Sequence, residues 1–549
     1  MVLPGADSIE TFSLAELRDF VRTLTSEVQR LSQSHAEQGR EIEQLRVENQ
    51  ALRSDKQMLR DEIARLKDLP PRPPTPPHKP SGMEKATEPA RGKGRRRSRG
   101  AKRDRDRVTR EVTIRVEAPA GARFKGYETL LVRDLMLLPE VVRYRRERWM
   151  TAEGTPIVAP LPAGLVGGYG ANLRRFCLVL HAQGQVTAER LTAILTGIGV
   201  DISKRQVVRL LTANLEAFAA EDQLVLRAGL ASAPFITVDD TGARHARQDA
   251  VTTQIGGDRF TVFRTGGSKS RLAFLSLLRA GHEDYVINEA ALRYMRTRNL
   301  AGPVIERLAT HPVRSFPNEA AWLAHLSALG LDVLDITPPP VTIASEAALW
   351  GAIRHHGLLA NTVIVSDDAG QFRLGEHALC WVHAERLVHK LVPTTPEQVQ
   401  AIATTRRLIW WFYRDLKAWK RDPCPRRASA LRARSERLFT RKTGSVMLNR
   451  LLARLHRRKA ELLRVLQHPA IPLHTNASEN DIRACVTKRK ISGGTMSEAG
   501  RTARDVMLGL MKTCQKLGLS FYAYLGDRFG LNTTGCAIPP LATLVAAPP

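Results

Sequence analysis

The sequence predicts a multidomain α/β protein, in which a mixed strand-and-helix core follows a long heptad helix, a small β-rich module and a helical unit. Three observations predict it. Apolar residues recur at heptad spacing over 12–67, and apolar and polar residues alternate across 111–165. Beyond residue 229, short β-rich runs, "FITV" at 235–238 and "NTVIVSDD" at 361–368, stand among longer helical stretches. A chain of 549 residues is too long for one core and suggests about three or four units.

The heptad seam sets Leu14, Val21, Val28, His35, Ile42, Asn49, Lys56 and Ile63 at a. Leu17, Leu24, Leu31, Gln38, Leu45, Leu52, Leu59 and Leu66 fall at d. Glu41, Glu48, Asp55 and Glu62 at g face Arg46, Arg53, Arg60 and Lys67 at e of a parallel partner, so residues 1–67 read as a parallel coiled coil and the chain as a homodimer. A single amphipathic helix packed on its own domain is the alternative. Residues 68–110 form a linker: the prolines of 68–82 make a stiff extended spacer, and 91–110 is a basic, disordered tract suited to phosphates.

Residues 111–165, with "VTIRV" and "TLLVRDL", read as short strands carrying basic side chains. Residues 166–228 read as helical. One helix, a tight turn at Gly197–Gly199 and a second helix capped near Ser203 fit a helix-turn-helix, or equally another αα-hairpin. Lys204, Arg205 and Arg209 lie on the second helix and are DNA-phosphate candidates. Within 229–526 the stretch "AVTTQIGGDRFTVFR" reads as a hairpin, about 280–358 as a helical insertion, and 381–470 as helical; 527–549 is a tail.

The net charge of +28 and pI near 10.5 point to an extended anionic partner, most simply nucleic acid. Six cysteines without paired spacing argue against a disulfide framework. No run is long and apolar enough to span a bilayer, and the N-terminus lacks a secretory pattern, so the expectation is a soluble, cytoplasmic protein.

Against that charge, two apolar strands both end in acids: Asp239-Asp240 and Asp367-Asp368. If the strands are neighbours, carboxylates from each meet, and they repel unless a divalent cation lies between them. Oxygen-only ligands suit Mg²⁺ or Mn²⁺, and a pair of such ions suits phosphodiester chemistry. Aspartate also ends strands for purely local reasons. Glu479 opens a further helix, where it favours the dipole and lies four residues from Arg483. Spacing alone gives it no more than that.

Several blocks in order resemble the IS66-type insertion-sequence transposases of the DDE superfamily. "VDDTG" is similar to that family's Asp-Glu-Thr motif, and "SDDAGQF" to its Asp-Gly-Tyr-Ala-Gly-Tyr block. "CWVHAER" at 380–386 is similar to its Cys-Trp-Ala-His-Ala-Arg-Arg, and "NASENDIR" to its Asn-Ala-Ala-Glu-Arg-Ala-Ile-Arg. The resemblance implies an RNase-H-like core in which Asp239, Asp367 and Glu479 are the catalytic, metal-holding triad, with Mg²⁺ or Mn²⁺, two ions, as cofactor. Asp367 requires a one-residue shift, since ungapped alignment puts Ser366 at the family's aspartate; Asp368 is the fallback.

The resemblance further implies a bacterial, nucleoid-associated transposase that cuts insertion-sequence ends and joins them to target DNA, with room for accessory transposition proteins. Arg483, Lys488, Arg489 and Lys490 would join the helix-turn-helix residues on DNA. A structure-selective nuclease on the same core and a non-catalytic dimeric DNA-binding regulator are the rival readings. Relatives commonly carry a cysteine-rich zinc module after the coil; here no cysteine precedes Cys177, so the site is missing. Cys380 and His383 form a C-x-x-H pair that can hold a metal or simply pack the helix beside the second aspartate.

Overall fold

The computed structural model describes residues 14–15, 18–30, 32–38, 44, 108–117, 119, 121–161, 165–166, 168–531 and 537–548. Two compact units divide the chain: residues 1–79 with 392–404, and 80–391 with 405–549. In the first, 18–30 and 32–38 are helical and expose Leu14, Val21, Leu24 and Val28, the seam residues, to solvent. Most of the remaining seam, the proline spacer and the basic tract up to residue 107 lie outside the described residues.

The alternating stretch 111–165 forms no β module within one chain. Its regular structure is a short antiparallel hairpin, Arg148–Met150 with Pro156–Val158. Before it the backbone makes no ladder, and Ile114, Val116, Leu130 and Val141 are exposed. Alternation prepares two faces, but a strand needs a partner edge to satisfy its backbone, and among the described residues no strand lies alongside 111–147.

Four helices follow: α1 (Ala171–Ala182), α2 (Ala188–Gly197), α3 (Lys204–Thr212) and α4 (Glu216–Ser232). The α2–α3 turn passes through Gly199, at φ +91°, a value that favours glycine. Ser203 caps α3 through a reciprocal box with Gln206. Leu191, Leu195, Val207, Leu210 and Leu211 bury the inner faces of the pair.

The main sheet has the order β3-β2-β1-β4-β5. Its strands are β1 (Phe235–His245), β2 (Gln248–Gly256), β3 (Thr261–Gly266), β4 (Val363–Ser366) and β5 (His377–Leu379). β1–β2 and β2–β3 are antiparallel, the second pair closing through the expected glycine turn. β4 and β5 add in parallel beside β1. β4, buried throughout, is a continuous apolar run, as a strand covered on both faces requires.

Between β3 and β4 the chain leaves the sheet as helices: α5 (Arg271–Leu278), three short helices, then α6 (Pro340–His355). After β5 a second helical stretch begins with α7 (Trp381–His389) and includes Pro425–Phe439 and Val446–Arg457. Trp381 is buried there against Phe412 and Phe439. α8 (Asn476–Ser492) returns to lie across β1 and β2, and α9 (Glu498–Lys516) packs on β3 and α4.

Buried polar stitches tie these helices to the sheet. Thr261 Oγ1 donates to Asp481 Oδ2 at 2.7 Å, and Lys516 Nζ lies 2.8 Å from the same oxygen. Thr265 N donates to Asp505 Oδ2 at 2.7 Å. Arg264 Nη1 reaches the fully buried Asp222 at 2.6 Å. The Asp481 contacts fix where the start of α8, with Glu479, meets β3; the others tie α9 and α4 to the same strand. The architecture is the expected mixed α/β fold.

Candidate active site

Strand register brings the two Asp-Asp pairs together. In the parallel β1–β4 pair, Thr237 stands beside Val365. Asp239 and Asp367 each lie two residues beyond that last pair, so a continuation of its register would put the two on one face of the sheet just past the end of β4. Asp239 is pushed up to about 6 by burial, with the charges of Asp367 and Glu479 adding to the rise and the Asp240 backbone N–H opposing it. Asp239 therefore feels both of the other acids of the expected triad, although Glu479 is 112 residues from Asp367 in the chain.

The neighbouring acids have other duties. Asp240 accepts from Lys269 Nζ at 2.5 Å and Gln371 Nε2 at 2.8 Å. Asp368 is gripped by Arg454, with Arg458 at 3.3 Å and Arg373 at 3.7 Å. Ser366 is buried and its hydroxyl meets His377 Nε2 at 2.8 Å. Asp367, by contrast, accepts the Ala369 N–H at 3.0 Å on one oxygen and lines an open cleft.

Glu479 sits in the first turn of α8, behind an N-cap at Thr475. Its partner is not Arg483, which is exposed, but Arg386 of α7. Arg386 Nη1 and Nη2 donate to Oε1 and Oε2 at 3.1 and 3.3 Å, a two-pronged fork. His383 Nε2, one turn earlier on α7, is 3.5 Å from Oε1.

His383 belongs to the C-x-x-H pair. Burial alone would lower its pKa, but the paired Cys380 sulfur, Glu479 and Asp367 outweigh that and raise it to about 9. Cys380 is buried; that burial opposes ionisation, yet His383 and the Thr475 N–H lower its pKa below the usual thiol value. The pair is thus a charged fixture beside the acids. His474, just ahead of α8, is lowered to about 4 by burial, with the charges of Lys417 and Lys420 adding.

Asp367, Asp368, His383, Arg386, Lys390 and Arg454 line a cleft of about 470 Å³. Neither Asp239 nor Glu479 is among its lining residues. The donor set suits a hard divalent cation: Asp239 and Asp367 offer oxygens with no lysine or arginine ion pair among the described residues, unlike Asp240 and Asp368, although His383 lies near both. Their ligand atoms and those of Glu479 do not gather within 4.8 Å; among the described residues only His282, Asp284 and His356 do so. Those two rings are stacked at 3.6 Å, so their in-plane lone pairs do not converge on one ion.

Of the basic candidates, Lys204, Arg205, Arg209, Arg483 and Lys490 are exposed, and Arg489 is half-buried against β1 near Gly242. Lys488 is turned inward: it is 8% exposed and its Nζ donates to the His181 carbonyl at 2.9 Å. It is a structural contact, not a phosphate contact, because the last turns of α8 present that side to α1. Sequence reasoning missed Arg386, Arg454 and Arg458. The first was legible as the i+3 companion of His383 in "CWVHAER"; nothing local marked the other two.

A chain that converges carboxylates beside a cation-lined cleft, under a net charge of +28, has the layout of an enzyme that handles nucleic acid. The family model described as "Transposase IS66 family" matches residues 359–503, a stretch that contains Asp367, the α7 block and Glu479. The chain belongs to the IS66 transposase family. It is also 60% identical over 323 residues to an uncharacterized protein, y4jO, of Sinorhizobium fredii (strain NBRC 101917 / NGR234), spanning 59% of this chain and 99% of that protein. No helix among the described residues is long and apolar enough to cross a membrane.

Proposed function

We propose that the protein is a DDE-type DNA transposase whose acidic centre is Asp239, Asp367 and Glu479. The charges of Asp367, just past the end of β4, and of Glu479 felt at Asp239, which lies within β1 and not at its end as the sequence suggested, carry this reading. The five-stranded mixed sheet, with an acid on its central strand and helical excursions between strands, supports an RNase-H-like core.

Asp239, Asp367 and Glu479 would hold two Mg²⁺ or Mn²⁺ ions. When bound, such ions supply charge neutralisation at a phosphodiester and a more acidic attacking oxygen. The rest falls to this chain's own residues. Water attacks phosphorus at the element end and the 3′ oxygen leaves as a hydroxyl. That hydroxyl then attacks a target phosphodiester, forming one P–O bond as another breaks.

Arg386, Lys390 and Arg454 would face the phosphates in the cleft, and Asp368, pinned by its arginines, fixes that wall. Lys204, Arg205 and Arg209, with Arg483, Arg489 and Lys490, would hold backbone phosphates farther out. The 18–38 helix, with its exposed seam residues, is suited to pairing with a second copy.

Asp239→Asn should abolish Mg²⁺-dependent cleavage of element-end DNA and leave DNA binding intact. Cleavage unchanged in that variant removes Asp239 from the chemistry. A strand-transfer assay with the same DNA separates a transposase, which joins ends, from a nuclease, which only cuts.

A further inference from the structure

We propose that Arg386 is a gate on the metal centre: it holds Glu479 in the DNA-free protein and releases it when a DNA phosphate enters the cleft and takes its place. This rests on the reading of Asp239, Asp367 and Glu479 as metal ligands and adds a control that the triad alone does not have.

Three observations point to it. The fork from Arg386 occupies both oxygens of Glu479, which leaves that carboxylate satisfied by the protein's own cation. Among the described residues no lysine or arginine clamps Asp239 or Asp367, which accept from backbone N–H groups, so one ligand of the three is withheld. Arg386 also lines the cleft that Asp367 lines, within reach of anything that enters it.

A guanidinium binds carboxylate and phosphate with the same planar fork. Exchange of partner therefore costs Arg386 no hydrogen bonds. Before DNA arrives, the fork occupies the Glu479 oxygens and offsets part of their charge. Once phosphate draws the guanidinium away, those oxygens are free for a cation, and the cation relieves the repulsion among the acids. By linkage, DNA and metal must then tighten one another's binding by the same factor.

The device has a use. A protein that carries a nuclease centre through a cell gains from keeping it incomplete until the strand is seated. His383, 3.5 Å from Glu479, stays on α7 as the second contact and keeps the carboxylate near its place during the exchange.

The test is Mn²⁺ binding to the full chain without DNA, followed by calorimetry or by the spin-resonance signal of free Mn²⁺. Arg386→Gln should tighten Mn²⁺ by roughly tenfold, within the range of ordinary coupling energies. Adding Glu479→Gln should erase the gain, and a short oligothymidylate should tighten Mn²⁺ in the wild type but hardly in Arg386→Gln. Arg386→Lys, which keeps the charge without the fork, should fall between and guards against a folding defect. Equal affinities in wild type, Arg386→Lys and Arg386→Gln, with binding lost in Asp239→Asn, overturn the gate while leaving the metal centre in place. Mn²⁺ bound by none of the proteins overturns both.

Discussion

Replacing Asp239 by Asn should make the folded protein more stable at neutral pH. Burial, with Asp367 and Glu479 adding, raises the Asp239 carboxyl from 3.8 to about 6. At pH 8 the folded chain therefore carries a charge it would shed if it could. A displacement of that size corresponds to about 3 kcal/mol, and partial access to water brings the expected range to ~1–3 kcal/mol. The sign follows from linkage. Below pH 3.8 the carboxyl is protonated in folded and unfolded chains alike, and the acid costs nothing. As pH rises towards about 6 the unfolded chain ionises first, and the penalty grows until it is complete.

Asparagine keeps the shape and has no charge to bury. Its melting temperature should exceed the wild type's by a few degrees, on the order of 5 °C, at pH 8, with the gap closing near pH 4. Added Mg²⁺ should raise the wild-type value and leave the variant unmoved. Scanning fluorimetry of the full chain across pH, with and without Mg²⁺, reads both. A variant less stable than wild type at pH 8 refutes the reasoning, because it would make Asp239 a structural acid with a partner it needs.

Asp481 is the contrasting case: buried, bonded to Thr261 and flanked by Lys512 and Lys516, it should cost about 3 kcal/mol when changed to Ala, read as a lowered denaturation midpoint. Lys488→Met should leave the salt dependence of DNA binding unchanged, whereas Arg205→Ala should reduce its logarithmic slope by about 1. Cys380→Ala should bring His383 down from about 9 to below its usual 6.5, followed by the imidazole resonance during a pH titration. Since that raised value favours the folded state, the stability His383 contributes is complete below pH 6.5 and is lost as pH rises through about 9.

Local chemistry made part of this protein legible in its sequence. "FITV", the glycine turn and the all-apolar run ahead of Ser366 gave the sheet, because alternation and turn residues act over a few positions. Ser203 announced the start of α3 for the same reason; its box with Gln206 came from the structure. The two Asp-Asp pairs stood out because charges seldom end buried strands without cause, and parallel pairing then sets them side by side.

What escaped depends on distance in the chain. Arg386 and Glu479 are 93 residues apart, and Arg454 and Asp368 are 86 apart; no periodicity links them. Lys488 looked like one of three basic residues at a helix end, but its position on the helix turns it towards His181. The strands expected before residue 148 failed for a different reason. Alternation alone does not make a strand, and among the described residues no partner edge lies beside it.

The central claim is that three distant acids form one cation-holding centre. The most direct measurement is an anomalous difference map from crystals grown with Mn²⁺ and DNA. The account predicts manganese between the carboxylates of Asp239 and Asp367, with Glu479 turned from Arg386 towards it. Manganese bound elsewhere, with Asp239 and Asp367 bare and Glu479 still held by Arg386, would contradict it.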